Sequence, residues 1–274
     1  MNSPPCLRAR LARAAAQEHL RGDNLFRCFY VVPMVAGLIR RLALARNRLR
    51  DYCEELIPHV ILPRLTRSQV YARFGIQRCV WDEFEPAFGT EVGIATRADA
   101  EFLFSFLEKQ QPARFLEIGT WRGGTAALIK TVCPQTEVVT LNYPEPDLTN
   151  NPLQKAEVGR AFQRRNLDVK LVWADSADLP RMNLGRFDAI FVDGDHKFKA
   201  ALGDLENAWA ILQTGGYLLF HDFVQEFATE RQPHCRRVVR AFRRFARNHR
   251  EEIAEGFCME QSWIGVVRKR FEHS

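Results

Sequence analysis

The 274-residue chain lacks a close cysteine pair: Cys6, Cys28, Cys53, Cys79, Cys133, Cys235 and Cys258 are scattered along it. That spacing excludes the paired ligands of small zinc modules and the dithiols of redox motifs, and it leaves reduced thiols in a cytoplasmic protein as the simplest expectation. Long apolar runs are missing as well. The longest uncharged one, Cys28 to Ile39, falls short of the ~20 residues that cross a bilayer and contains Pro33 and Gly37, so no transmembrane helix is expected. No secretory apolar core follows the first charges, although the N-terminus is Arg-rich and acid-poor in the manner of organellar presequences. Internal repeats and low-complexity tracts are also lacking. Negative charge is scarce in one place: residues 1–50 carry ten Arg against Glu18 and Asp23, a net of +8 in a chain whose total is +6. What is present, 46% hydrophobic residues, suffices for one α/β core of ordinary size plus an extension.

Residues 1–80 are expected to form a basic helical extension. Leu38, Leu42, Ala45 and Leu49 make an apolar stripe set among Arg40, Arg41, Arg46, Arg48 and Arg50, until Pro58 and Pro63 interrupt it. Three uses are open to such a segment: packing on the core, self-association into a homodimer, or docking on an anionic surface. The main domain is placed at residues 81–274. Thr96 and Asp99 begin a capping-box-like helix through Phe102, Phe106 and Leu107. Strand candidates then alternate with helices: Arg114 to Ile118, Val138 to Leu141, Val169 to Trp173, Phe187 to Val192 and Tyr217 to Phe220. Alternation of this kind predicts a doubly wound, mostly parallel α/β sheet. Ile253 to Met259 and Trp263 to Val267 follow in close succession, which suggests a C-terminal antiparallel hairpin.

Two of these runs end in side chains suited to binding a cation. Phe187 to Val192 stops in Asp193-Gly194-Asp195-His196, and Tyr217 to Phe220 stops in His221-Asp222. Between them Leu202, Leu205, Trp209 and Leu212 mark an amphipathic crossover helix, closed by Gly215-Gly216, that returns the chain to a parallel strand. Carboxyl ends of parallel strands line the ligand crevice of open α/β sheets, so Asp193, His196, His221 and Asp222 are expected to face one pocket.

The first strand, Phe115-Leu116-Glu117-Ile118, runs into Gly119-Thr120-Trp121-Arg122-Gly123-Gly124-Thr125 and then an apolar helix. Glycines admit close approach of a ligand, and the helix N-terminus offers N–H groups to an anionic one. The spacing Gly-x-x-x-Gly-Gly differs from the dinucleotide fingerprint, so a pyrophosphate is not implied.

This acidic residue followed by Gly-x-x-x-Gly resembles the first motif of class I S-adenosylmethionine-dependent methyltransferases, and the resemblance extends over residues 96–268. It implies a seven-stranded Rossmann-like sheet and puts Glu117, Gly119, Thr120 and Gly123, bordered by Asp193, at the aminocarboxylate and sulfonium end of the cofactor. It assigns Asn142, where the family usually has an acid, to the ribose, and Asp175-Ser176 to the adenine edge. Within the family, Asp193 followed by His221-Asp222 resembles the metal-dependent O-methyltransferases of small molecules and sugars. That implies a divalent cation, Mg²⁺ or Mn²⁺, held by Asp193, Asp222 and, more weakly, His221. His196 stands where related enzymes have a lysine and is the expected general base. The acceptor is expected to be a small-molecule or sugar hydroxyl, with an anionic one suggested by Arg236, Arg240, Arg243, Arg247 and Arg250 on one helix face. Nucleic acid is not expected, because Asp193-Gly194-Asp195-His196 replaces the motif of base-amino methyltransferases. Two other classes stay open: a non-haem iron oxygenase using His196, His221 and Asp193 or Asp222, and a non-catalytic module docking on RNA or membrane through the basic N-terminus.

Overall fold

The chain divides into two units, Met1–His59 and Val60–Ser274. The computed structural model describes residues 62–144, 155–225 and 233–271, all within the second unit. The Leu38 to Leu49 stripe and most of the basic extension therefore lie outside the described residues.

One sheet of eight strands organises the second unit. In chain order they are β1 (Arg64–Leu65), β2 (Arg114–Ile118), β3 (Glu137–Asn142), β4 (Val169–Trp173), β5 (Phe187–Val192), β6 (Leu212–Phe220), β7 (Ile253–Met259) and β8 (Gly265–Lys269). Their spatial order is β1-β7-β8-β6-β5-β2-β3-β4. Every pairing is parallel except the two made by β8, which runs antiparallel between β6 and β7. The doubly wound sheet and its terminal hairpin are as expected. The strand beyond the anticipated seven is β1, whose two residues are too few to leave a periodic signal in a sequence.

The helices are α1 (Arg67–Phe74), α2 (Val80–Phe88), α3 (Arg97–Gln110), α4 (Gly124–Val132), α5 (Arg160–Arg164), α6 (Phe198–Ile211) and α7 (Pro233–Asn248). They bury the two faces of the sheet in separate apolar layers. Phe115, Ala189, Phe191, Tyr217 and Leu219 point into a layer with Phe102 and Phe106 of α3 and Ala126 to Ile129 of α4. Their neighbours Leu116, Ile190, Val192, Leu218 and Phe220 point the other way, against Leu205 and Trp209 of α6 and Phe242 and Phe245 of α7. The period of two thus survives inside runs that read as continuously apolar, because both faces are covered.

Two boundaries differ from expectation. Gly215-Gly216 does not close the crossover helix: α6 ends at Ile211, and the glycines sit inside β6, at an irregularity where the register passes from Phe187 opposite Leu212 to Ala189 opposite Tyr217. Five steps along β6 thereby match two along β5, and Gly215 makes the detour at φ +79°, where a Cβ would also fall 2.3 Å from the Phe271 ring. The last strand begins at Gly265 rather than Trp263, since the Trp263 amide is drawn out of the ladder to donate to Asp99 Oδ1 at 2.5 Å.

Candidate active site

The carboxyl ends of the parallel strands are tied into one row by backbone hydrogen bonds that continue beyond the strands. Ala174 donates to Asn142, Gly119 to Leu141, Asp193 to Ile118 and His221 to Val192, at 2.8–3.1 Å. The row brings the ends of β4, β3, β2, β5 and β6 to one edge, with the order reversing at β2, the switch point at which open α/β sheets bind ligands.

The glycine loop is moulded by its neighbours. Gly119 has φ +106°, and a Cβ there would lie 2.1 Å from the carbonyl oxygen of Asp193. Only glycine lets the loop pass this close to the end of β5. Gly123, with φ +77°, caps α4, and a Cβ there would strike the Phe162 ring at 2.6 Å. Packing therefore accounts for both glycines before any ligand is considered. Beneath the loop, Thr120 and Thr140 share a 2.7 Å hydrogen bond, and Thr140 Oγ1 donates to Glu117 Oε2 at 2.6 Å. Burial pushes the Glu117 carboxyl up to about 8, with the Asp193 charge adding to the rise and hydrogen bonds from Thr140 and Thr125 opposing it. Nearby, Nε of Arg122 is buried without a hydrogen-bond partner. A loop with an orphaned guanidinium N–H at a helix N-terminus fits an anionic group such as an aminocarboxylate.

The ribose and adenine candidates lie farther along the row. Asn142 ends β3 and donates through Nδ2 to the Tyr143 carbonyl at 3.0 Å. Asp175 accepts from the Ala177 amide at 2.9 Å and caps the short turn that follows β4. The Ser176 hydroxyl is hydrogen-bonded to Asp204 of α6, a buried carboxyl that desolvation lifts to about 6.

Asp193, His196, His221 and Asp222 converge as the sequence suggested. His196 Nε2 sits 2.5 Å from Asp222 Oδ2, and its ring is half-exposed. That hydrogen bond raises the His196 pKa, although burial works against the charge. Burial also opposes ionisation of Asp222, but the His196 hydrogen bond and the charges of His221, His196 and His234 outweigh it and hold the carboxyl low. Asp222 adopts φ 56°, a left-handed conformation that aspartate tolerates and that marks a constrained position. Asp195 does not join the cluster: its carboxylate accepts from the Lys197 amide just before α6 and pairs with the Lys197 ammonium, each at 2.9 Å.

His221 is buried between carboxylates. Its Nδ1 is 3.1 Å from Asp193 Oδ1 and 3.7 Å from Asp222 Oδ1, while Nε2 faces Asp99 Oδ2 at 3.5 Å. Desolvation disfavours its charge, yet Asp193, Asp99 and Asp222 together raise its pKa well above the ordinary value. Both ring nitrogens thus act as donors in this arrangement. What the site offers a hard cation is the oxygen of Asp193 and Asp222, which approach the same nitrogen from different strand ends, a donor set that suits Mg²⁺ or Mn²⁺.

Asp99, His234 and Cys235 are the participants that sequence patterns did not reveal. Asp99 is fully buried; it closes the capping box of α3 with Thr96 and also accepts from Ser262 Oγ (2.8 Å), the Trp263 amide (2.5 Å) and His221. Its capping role was visible in the Thr96-x-x-Asp99 spacing, whereas its long-range partners left no local signal. His234 and Cys235 begin α7, and their donor atoms lie within 4.8 Å of one another and of Asp222.

Residues 116–223 match the family model of a methyltransferase domain. A demethylmenaquinone methyltransferase from Thermus thermophilus is 31% identical over 121 residues, which are 43% of this chain and 50% of that protein. The chain thus spans about half the length of the curated relative it matches. Among solved structures, the S-adenosylhomocysteine-bound methyltransferase PaMTH1 of Podospora anserina superposes with a TM-score of 0.52 at 20% identity, covering 84% of this chain and 96% of that one. The O-methyltransferase TomG of Streptomyces achromogenes, in complex with S-adenosylmethionine, gives 0.50 at 15% identity over 75% and 97% of the two chains. Residues 116–223 are thus similar to a methyltransferase domain, and the chain shares the fold of these structures.

Proposed function

We propose that the protein transfers a methyl group from S-adenosylmethionine to a hydroxyl of a small molecule or sugar, assisted by a divalent cation. The observation that carries this is the single row of strand ends, which brings His196 and the carboxylates of Asp193 and Asp222 to the same edge as the glycine loop. Glu117, Gly119, Thr120 and Gly123, with Asp193 at their border, would hold the aminocarboxylate and sulfonium end, Asn142 the ribose, and Asp175 with Ser176 the adenine edge. Bound there, the cofactor supplies an electrophilic methyl group on a sulfonium. Asp193 and Asp222 would hold the cation, Mg²⁺ or Mn²⁺, whose chemistry is to orient acceptor oxygens and lower the pKa of the hydroxyl.

His196 is the proton acceptor. Its Nε2 is committed to Asp222, so Nδ1 would take the hydroxyl proton that methyl transfer releases. The products are the methyl ether, S-adenosylhomocysteine and one proton held on His196. Asp222 orients the imidazole and stabilises the charge it gains. His221, clamped by Asp99, keeps the Asp193 carboxylate in place and offsets the negative charge gathered there. No helix among the described residues is long and apolar enough to cross a membrane. The chain is proposed to act in the cytoplasm on an acceptor that the basic face of α7 would allow to be anionic.

Calorimetric titration with S-adenosylmethionine and S-adenosylhomocysteine tests the proposal, repeated after chelation and with Asp193→Ala. Cofactor binding is expected in every case, with the cation needed for acceptor turnover. If neither cofactor form binds the full chain, the proposal fails.

A further inference from the structure

Three donors of different softness meet where β6 ends and α7 begins: the Asp222 carboxylate, the His234 imidazole and the Cys235 thiol. Methyl transfer uses neither His234 nor Cys235. Asp222 and Cys235 are buried and His234 partly so. Cys235 Sγ lies 3.9 Å from Asp222 Oδ1. The other oxygen of Asp222 meets His196, whose ring is 5.9 Å from that of His234. Cys235, His234 and His196 are thus three donors grouped around one carboxylate. Its backbone is fixed by the left-handed turn at Asp222 and by the Phe223 amide, which donates to the Trp263 carbonyl at 2.7 Å.

We propose that Asp222, His234 and Cys235 form a binding site for a zinc-class divalent cation, with the fourth coordination position left to water. Zinc bonds of ~2.0–2.3 Å place tetrahedral donors roughly 3.3–3.8 Å apart. The three donors here lie within 4.8 Å, so rotation of the half-buried His234 and a small shift of the thiol close the remaining gap. A thiolate beside an imidazole selects borderline and soft ions over Mg²⁺, which prefers oxygen alone. On binding, the thiol proton leaves to solvent and the sulfur bonds the ion. Bound there, the ion clips the start of α7 to the end of β6. The site does not rest on methyl transfer, with which it shares only Asp222. A second grouping, Cys79 with Asp82 and Glu101, is more exposed, and both its carboxylates already pair with Arg97, so it serves as the control.

The test is titration of metal-stripped, reduced, full-length protein with Co²⁺, followed by absorption. The expected result is a thiolate-to-cobalt charge-transfer band with the visible spectrum of a four-coordinate ion, saturating near about one equivalent and displaced by Zn²⁺. Cys235→Ser removes the charge-transfer band, and His234→Ala weakens cobalt binding by ~10-fold or more. Cys79→Ser and Asp193→Ala retain the band. Should Cys235→Ser fail to fold by circular dichroism, His234→Ala with unchanged circular dichroism decides the matter alone. Absence of the band in the unaltered protein, its survival in Cys235→Ser, undiminished cobalt affinity in His234→Ala, or its loss in Cys79→Ser overturns the proposal. Failure to bind S-adenosylmethionine with the band intact refutes methyl transfer and leaves this site standing.

Discussion

Replacing Asp99 tests how the candidate site is held. Its carboxylate is fully buried and joins three parts of the chain: the first turn of α3 through the Thr96 amide (2.8 Å), the loop before β8 through Ser262 and Trp263, and the end of β6 through His221. Asp99→Asn keeps the shape and one acceptor oxygen but puts an N–H group where an acceptor is needed and removes the charge facing His221. Hydrogen bonds to a charged group are worth ~1.5–3 kcal/mol each, and part of that survives with a neutral acceptor. A loss of ~2–3 kcal/mol is expected for Asp99→Asn, and ~3–5 kcal/mol for Asp99→Ala, which strands His221 and three further donors. For a unit of this size the Asn variant should melt ~4–10 °C lower. Urea unfolding of the full chain, with His221→Gln and the double variant, completes a cycle whose coupling energy should exceed ~0.5 kcal/mol. Asn stability within ~0.5 kcal/mol of the unaltered protein, or additive single effects, would refute the clamp.

Gly119→Ala should cost ~2 kcal/mol or more and abolish cofactor binding, because the new methyl group meets the Asp193 carbonyl and the backbone is already at φ +106°; an unchanged melting temperature would show that the loop yields. Glu117 retains its proton in the folded state up to about 8, so the stability it contributes is fully present below its unfolded pKa and is lost as pH rises toward 8. Glu117→Gln should therefore gain on the unaltered protein across that window in urea titrations, while binding S-adenosylmethionine at least ~10-fold more weakly. His249 is pulled two ways: burial lowers its pKa, and Glu206 with Glu252 raises it by more. Its stabilising share is complete below its unfolded pKa and disappears as pH climbs through the raised folded value, so the gap in melting temperature to His249→Gln should be wide near about pH 5.5 and narrow near about pH 9. Cofactor binding beside a protonated Glu117 should release a fraction of a proton near neutral pH, read as a dependence of the calorimetric heat on buffer ionisation; no dependence would place the sulfonium elsewhere.

The parallel core was legible because β2, β3, β5 and the second half of β6 are mostly apolar runs bounded by turn residues, a pattern that burial on both faces imposes on sequence. The pocket-facing residues were legible for the same reason: a polar side chain just after such a run has only the crevice to face, as Asp193 and His221 do. Partnership was not. Nothing local says that His221 reaches Asp99, distant in the chain, or that Gly119 is glycine because a neighbouring strand passes there. The Gly215-Gly216 pair misled because a glycine pair after a helical pattern looks the same whether it stops a helix or kinks a strand.

Charge along the row is sorted by what each acid has beside it. Glu117 and Asp204 are buried with hydroxyl partners and like-charged neighbours, Asp193 near the one and Asp175 and Asp195 near the other, and burial first and these charges second push their carboxyls up to about 8 and about 6. Asp222 is comparably buried but stands among three imidazoles, and its carboxyl is held low. Burial alone would treat the three alike, so the imidazoles decide. The result is a polarised crevice, with a neutral acid behind the glycine loop and an ionised one at the proposed acceptor side. A cationic donor bound at the loop meets little opposing charge until Glu117 ionises, whereas a deprotonating hydroxyl at the other end lies beside charges fixed in advance. Such an arrangement lowers the cost of reorganisation where the proton moves, which is the condition for electrostatic preorganisation to accelerate transfer. It also sets the two histidines apart: His221 is enclosed by three carboxylates and balances their charge, whereas the half-exposed His196, tied through one nitrogen only, is the proposed proton acceptor.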